Sequence, residues 1–265
     1  MAVGTIKRSG TRFYIDPEDG ERKLPGVTSI LSMLPKEFLK YWASKLVAQT
    51  AVDRWEYVQG LIQDDPDGMV DYLKRAPDRF TRQAARTGSE AHDLFERLAR
   101  GERIGRVSSD MTPYVRHFAD FLQAQQPEFL HLEETVWSDT HGYAGSFDAI
   151  AIIDGETVIL DWKTTRSGVH EDVALQLKAY AMADRIILAA DGSYVDVPAI
   201  DAAAVLHVRP EGAKLVPVSC SDDLFDYFCA LAKTFEWETG RKRTAIGKPV
   251  WTTGGLETGT QRRAA

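Results

Sequence analysis

The sequence predicts an α/β fold, a mixed central sheet flanked by helices with a helical N-terminal half. Three features carry that expectation. Apolar residues recur at three- and four-residue spacing through most of residues 36–126. From residue 129 the texture changes to short runs of β-branched and aromatic residues. A helical stretch then separates three of those runs from two more, the order of an α/β core.

The elements follow in turn. Residues 11–34, "TRFYIDPEDGERKLPGVTSILSML", read as a short hairpin leading into a helix. Residues 36–62 read as one helix with Leu39, Trp42, Leu46 and Val47 on one side. "QDDPDG" breaks it, "MVDYLKRA" makes another helix, and Pro77 with Asp78 opens a long one that Gly101 closes. A further helix over 112–126 stops before Pro127. Strands are expected at 129–138, 143–153 and 156–164, a helix at 171–190, strands at 202–208 and 213–219, and a last helix at 222–240. Beyond Gly240 the chain is rich in Gly, Thr and Arg, and a loosely packed tail is expected. The division is therefore a helical part over 1–128, a core over 129–240 and a tail over 241–265, forming one structural unit.

Composition narrows the class. The chain has 265 residues, 44% of them hydrophobic, enough to bury a core. No apolar run approaches the roughly 20 residues of a membrane span. The first twenty residues lack the apolar stretch of a signal peptide. The two cysteines, Cys220 and Cys229, suit neither a disulfide framework nor a metal site, so a cytoplasmic protein is expected. A net charge of -7 argues against a nucleic-acid coat protein. It leaves room for an enzyme with a local basic channel.

The chemistry gathers around "YAGSFDAIAIIDGETVILDWKT". Asp154-Gly155 is a two-residue hairpin turn that fixes register, so paired residue numbers sum to 309 and Asp148 should face Asp161. Facing side chains have Cβ atoms roughly 4.5–5.5 Å apart. Two carboxylates at that range repel by roughly 3 kcal/mol at an effective dielectric near 20. Alternation puts Asp148, Asp161 and Lys163 on one face with Ile150, Ile152 and Ile159, and puts Phe147, Ala149, Leu160 and Trp162 on the other. Both faces are apolar elsewhere, so the sheet should be covered on both sides. A hard cation such as Mg²⁺ or Mn²⁺ would neutralise the acids; the plainer alternative is Lys163 bridging them.

Other residues are candidates by position. His92 and Glu96 share a helical face, and Arg79, Arg82 and Arg86 form a basic stripe on the same helix. That stripe is either a solvated face or a phosphate contact. Gln176 and Tyr180 stand four apart on the helix after "DWK". Either Glu133 or Glu134 can point at the acids but not both, and Glu134 is the accessory candidate together with Glu96.

With these pieces in order, "GSEAHDLFE", "YAGSFDAIAIIDGETVILDWKT" and "QLKAY" resemble the PD-(D/E)XK nuclease superfamily, in particular its RecB-type domain. Within it the closest likeness is to the compact exonuclease branch related to four-cysteine CRISPR-associated nucleases and found in many phages. The likeness covers most of residues 25–185 and implies a restriction-endonuclease-like core. It implies His92, Asp148, Asp161 and the Trp162 carbonyl as ligands of Mg²⁺ or Mn²⁺, with Lys163 catalytic beside the two acids. It implies DNA contacts through Gln176 and Tyr180, with Arg79, Arg82 and Arg86 as further candidates. The expected activity is DNA exonuclease cleavage in phage recombination, repair or degradation, with a recombinase, annealing protein or helicase as partner. An endonuclease on the same core and a silent DNA-end-binding subunit are the alternatives. The four cluster-binding cysteines of many relatives are missing, so no iron–sulfur cluster is expected. Nor is there a P-loop, so any motor would be a separate chain.

Overall fold

The computed structural model describes residues 3–8, 10–247, 249 and 253. Strands β1 (Thr5–Arg8), β2 (Thr11–Ile15) and β3 (Lys23–Pro25) form a small antiparallel sheet. Helices α1 (Val27–Leu31), α2 (Phe38–Asp53), α3 (Trp55–Asp64), α4 (Pro66–Lys74), α5 (Ala76–Ala99) and α6 (Thr112–Gln125) follow. The second half holds β4 (Glu128–Ser138), β5 (Tyr143–Ile153), β6 (Glu156–Lys163), α7 (Asp172–Ala181), β7 (Arg185–Ile187), β8 (Tyr194–Asp196), β9 (Ala202–Arg209), β10 (Gly212–Val218) and α8 (Asp223–Thr239). Its seven strands make one mixed sheet in the order β10-β9-β6-β5-β4-β7-β8. Only β6 and β9 run parallel among these neighbours, joined through α7 as a crossover requires.

Each face of that sheet is buried. On one side, Val27 and Ile30 of α1, Leu177 and Tyr180 of α7 and Phe228 of α8 pack on Ile150, Ile159 and Val205. On the other, Phe95 of α5 and Phe118 of α6 pack on Ala149, Leu160, Trp162 and Leu206. One layer thus comes from α5 and α6 of the helical half and the other from α1, α7 and α8, which is why the central strands read as apolar on both faces.

Several boundaries differ from the expected ones. The helix expected over 36–62 breaks at Arg54, which leaves helical geometry at φ -118°. Asp65 then caps α4, accepting the Gly68 N–H at 2.9 Å. The apolar side read on α2 is not core: the helix has no buried residue, and Leu39 is exposed. The helix expected to reach 190 ends at Ala181, because Asp184 accepts from the Thr140 N–H and hydroxyl in the β4–β5 loop. Ile186 and Ile187 then extend as β7 along β4 and are buried there. The expected loose tail begins with a 3₁₀ turn, Arg241–Thr244, and otherwise lies largely outside the described residues. Among the described residues no helix is long and apolar enough to cross a membrane.

Candidate active site

The Asp154-Gly155 turn forms as expected, with both residues at positive φ and Ile153 paired with Glu156. The β5–β6 ladder keeps that register as far as Ala149 and Leu160, then stops one pair short of Asp148 and Asp161. On the other side, β4 pairs with β5 at Leu132–Ala149 and at Glu134–Phe147 but not between them. Among the described residues Asp148 therefore has no ladder partner on either side. Glu133, opposite it, has φ 53°, a left-handed backbone that costs about 1–2 kcal/mol for a residue with a side chain.

This opening corrects the reading of faces. Phe147 packs with Ile150 and Ile159 near Tyr180, while Ala149 packs on the opposite face with Leu160 and Trp162. Strict alternation would have kept Phe147 and Ala149 together, so it slips by one residue at Asp148. The Asp148 carboxylate consequently leans toward α5, where its Oδ1 lies 3.4 Å from His92 Nδ1. Its Oδ2 accepts a short hydrogen bond from the Trp162 N–H. Asp161 stays on the α7 side. The two acids thus flank the split between β5 and β6 rather than sharing one face.

Asp161 is 4% exposed and held from two directions. Lys163 Nζ donates to its Oδ1 at 2.8 Å and is ion-paired with Oδ2 at 2.6 Å. Gln176 donates to Oδ1 at 2.9 Å and to the Tyr180 hydroxyl at 3.3 Å. Burial raises the Asp161 pKa, Lys163 opposes that, and the charge of Asp148 adds to the rise. Burial works against the Lys163 ammonium, but the charges of Asp161 and Asp148 outweigh it and raise its pKa. For His92 burial is likewise overcome by Asp148, Glu133 and Asp161, and its pKa is raised.

Of the two neighbouring acids, Glu133 and not Glu134 reaches the site. Glu134 accepts from the Ala189 N–H at the β7 side of β4, away from the acids. Glu133 instead meets the site, where one atom each of His92, Glu133 and Asp148 lie within 4.8 Å of one another. Its Oε1 is buried without a hydrogen-bond partner. Burial and the neighbouring Asp148 push its pKa up to about 8. Alternation could not find Glu133, because its left-handed backbone re-aims the side chain.

The remaining candidates divide. Glu96 lines a cleft of about 410 Å³ with Gly88, His92 and Glu133, but its carboxylate is paired with Arg100 at 2.8 Å. Trp162 is fully buried against Phe95 and Phe118, as a core residue should be. Tyr180 is 2% exposed, so its ring shapes the site from beneath and cannot meet a ligand directly. Arg79 is not on a free stripe: it stacks on Tyr72 at 4.1 Å and donates to the Tyr72 carbonyl at 2.8 Å. Arg82 and Arg86 are exposed. Sequence reasoning missed His207 and Arg209 of β9, which bind the Thr165 and Thr164 carbonyls at 2.8 and 2.7 Å and so strap down the chain beyond Lys163.

The donor set suits a hard divalent ion. His92, Glu133 and Asp148 bring two carboxylates and one imidazole together, and Glu133 Oε1 is a buried oxygen without a hydrogen-bond partner.

No family model matches the chain, and no curated protein matches it. Among solved structures, one described as "Crystal structure of SSO0001" aligns over 81% of this chain and 84% of its own at 10% identity, with a TM-score of 0.31. At that score the likeness carries no argument about fold or activity.

Proposed function

We propose that the chain is a divalent-metal-dependent DNA exonuclease built on a restriction-endonuclease-like core. The observation that carries this reading is the grouping at the β5–β6 split: Asp148 with His92 and Glu133 on one side, the Asp161–Lys163 pair on the other. Burial and the neighbouring charge of Asp148 penalise the Glu133 and Asp161 carboxylates, a cost that a purely structural sheet has no reason to carry.

His92, Asp148, Asp161 and the Trp162 carbonyl would hold Mg²⁺ or Mn²⁺, with Glu133 as a further donor. Such an ion supplies Lewis acidity toward a phosphoryl oxygen and lowers the pKa of water. Lys163 places a positive charge where phosphodiester cleavage accumulates negative charge. Gln176 fixes the Asp161 carboxylate, and Tyr180 fixes Gln176. The buried Trp162 ring packs beside His92, 6.1 Å between ring centroids, and backs that imidazole.

The test is digestion of linear and closed circular DNA with Mg²⁺ or Mn²⁺, with EDTA as control. Progressive loss of linear DNA with circles left intact is expected. Cleaved circles would make the chain an endonuclease, and intact DNA in every lane would sink the nuclease reading.

A further inference from the structure

A surface beside the acids remains without a role. The loop after β6 runs from Lys163 past Thr164, whose hydroxyl lies 3.5 Å from where a side chain on Gly88 of α5 would begin. Arg166 of that loop sits over the Phe80 ring, 6.0 Å from its centroid. Phe80 meets Trp42 of α2 edge to face at 5.8 Å. One turn earlier, Phe38 stacks on His170 at 6.4 Å and 13°. The start of α2, the first turns of α5 and the β6–α7 loop thus form one continuous rim leading to Lys163.

This rim is aromatic, exposed and cationic. Phe38 is 57% exposed and Phe80 39%, although each already meets a neighbouring ring. Arg82, Arg86 and Arg166 are exposed and make no ion pair among the described residues. The nearby acids Glu37 and Asp172 are matched by Lys40 at 2.8 Å and Lys36 at 3.6 Å. Asp78 and Glu171 are also exposed on this rim, so its cationic character rests on the three unpaired guanidinium groups and not on a local excess of positive charge. Flat rings interleaved with guanidinium groups fit a polyanion that also exposes flat faces, which is unpaired nucleic acid. Duplex bases offer no free face to such rings.

We propose that Phe38, Phe80 and Arg166 form a stacking platform that holds unpaired bases of a single DNA strand as it runs to Lys163. This rests on the nuclease reading and names its substrate as an unpaired strand or a frayed end. Phe80 stacks a base while Arg166 and Arg86 hold flanking phosphates. Phe38 extends the track away from the acids.

The experiment measures binding of a short labelled oligothymidylate by fluorescence anisotropy in EDTA, where cleavage does not interfere. Phe38→Leu and Phe80→Leu each weaken binding about fivefold or more, the scale of one lost base stack. Phe80→Tyr keeps it, and binding of a blunt duplex does not change. Quenching of 2-aminopurine in the oligonucleotide falls in Phe80→Leu, a readout that a purely structural role would not move. Because Phe38 is the more exposed, Phe38→Leu tests the idea even if Phe80→Leu unfolds.

Wild-type oligothymidylate affinity in both leucine variants overturns the platform. So does self-association in sedimentation velocity that Phe38→Leu abolishes, which would make this face a contact between copies. A chain that degrades linear duplex but ignores oligothymidylate loses the platform and keeps the nuclease. Stacking through Phe80 without any cleavage does the reverse.

Discussion

The Asp148 carboxylate accepts the main-chain N–H of Trp162, standing in for the ladder bond that β5 and β6 do not make beyond Ala149 and Leu160. A side chain thereby closes the strand pair at the place where the backbone opens it. The same bond fixes the acid against rotation, leaving its other oxygen turned to His92.

That arrangement separates position from charge. Asp148→Asn retains an acceptor for Trp162 and should melt close to wild type, yet lose at least about a hundredfold in cleavage rate. Asp148→Ala should lose the activity and also about 1–3 kcal/mol of stability, since a buried N–H goes unmet. Urea unfolding beside linear-DNA digestion checks both; an active Asp148→Asn would remove this acid from the site.

Asp161 and Lys163 behave as a pair. Asp161→Ala and Lys163→Ala should each abolish cleavage while far-UV circular dichroism stays native. EDTA should silence the wild type and added Mn²⁺ restore it, with no recovery in Asp161→Ala. Wild-type-like cleavage by Asp161→Ala would locate the chemistry elsewhere.

Glu133 gives a pH dependence of stability. Its folded pKa of about 8 lies above the ordinary 4.5, chiefly through burial. Between those values the unfolded chain has released a proton that the folded chain retains, so stability of the metal-free protein falls as pH rises across that window. Glu133→Gln removes this term. Its melting temperature should exceed that of the wild type by a margin that widens from about pH 5 to about pH 8. Divalent ions should then raise the melting temperature of the wild type more than that of Glu133→Gln. Parallel melting curves for the two proteins across this range would refute the assignment.

Much of the frame was legible in the sequence. The Asp-Gly turn dictated register and β-branched runs marked the central strands, while the four-residue spacing of Gln176 and Tyr180 said little until the structure set Gln176 against Asp161. What escaped notice depends on departures from ideal periods. A left-handed Glu133 and a slip at Asp148 re-aim two acids, and no alternation rule foresees that. β7 was hidden because "RII" is too short to outweigh a helical context, and the bonds of Asp184 to Trp137, Ser138 and Thr140 draw the chain out of the helix before it. Arg79 looked like its neighbours on the helix until Tyr72 was brought beneath it.

Gly145 tests how tightly the α7 side is built. A Cβ at this position would lie 2.5 Å from Tyr180 Cε1 and 3.2 Å from Val27 Cγ2, too close for either to remain in place. The Tyr180 ring has little room to yield, being 2% exposed and set against Phe147 at 6.5 Å. Gly145→Ala should therefore cost about 1–3 kcal/mol, the usual penalty for overpacking a core. The displaced ring would also withdraw its hydroxyl from Gln176, and Gln176 in turn from Asp161, so cleavage should fall with it. Tyr180→Leu makes room for the added methyl, and Gly145→Ala should cost less than half as much in that background. A double-mutant cycle on urea unfolding measures this coupling. Additive penalties would mean that Tyr180 does not transmit the strain and that the route from β5 through α7 to Asp161 is not used.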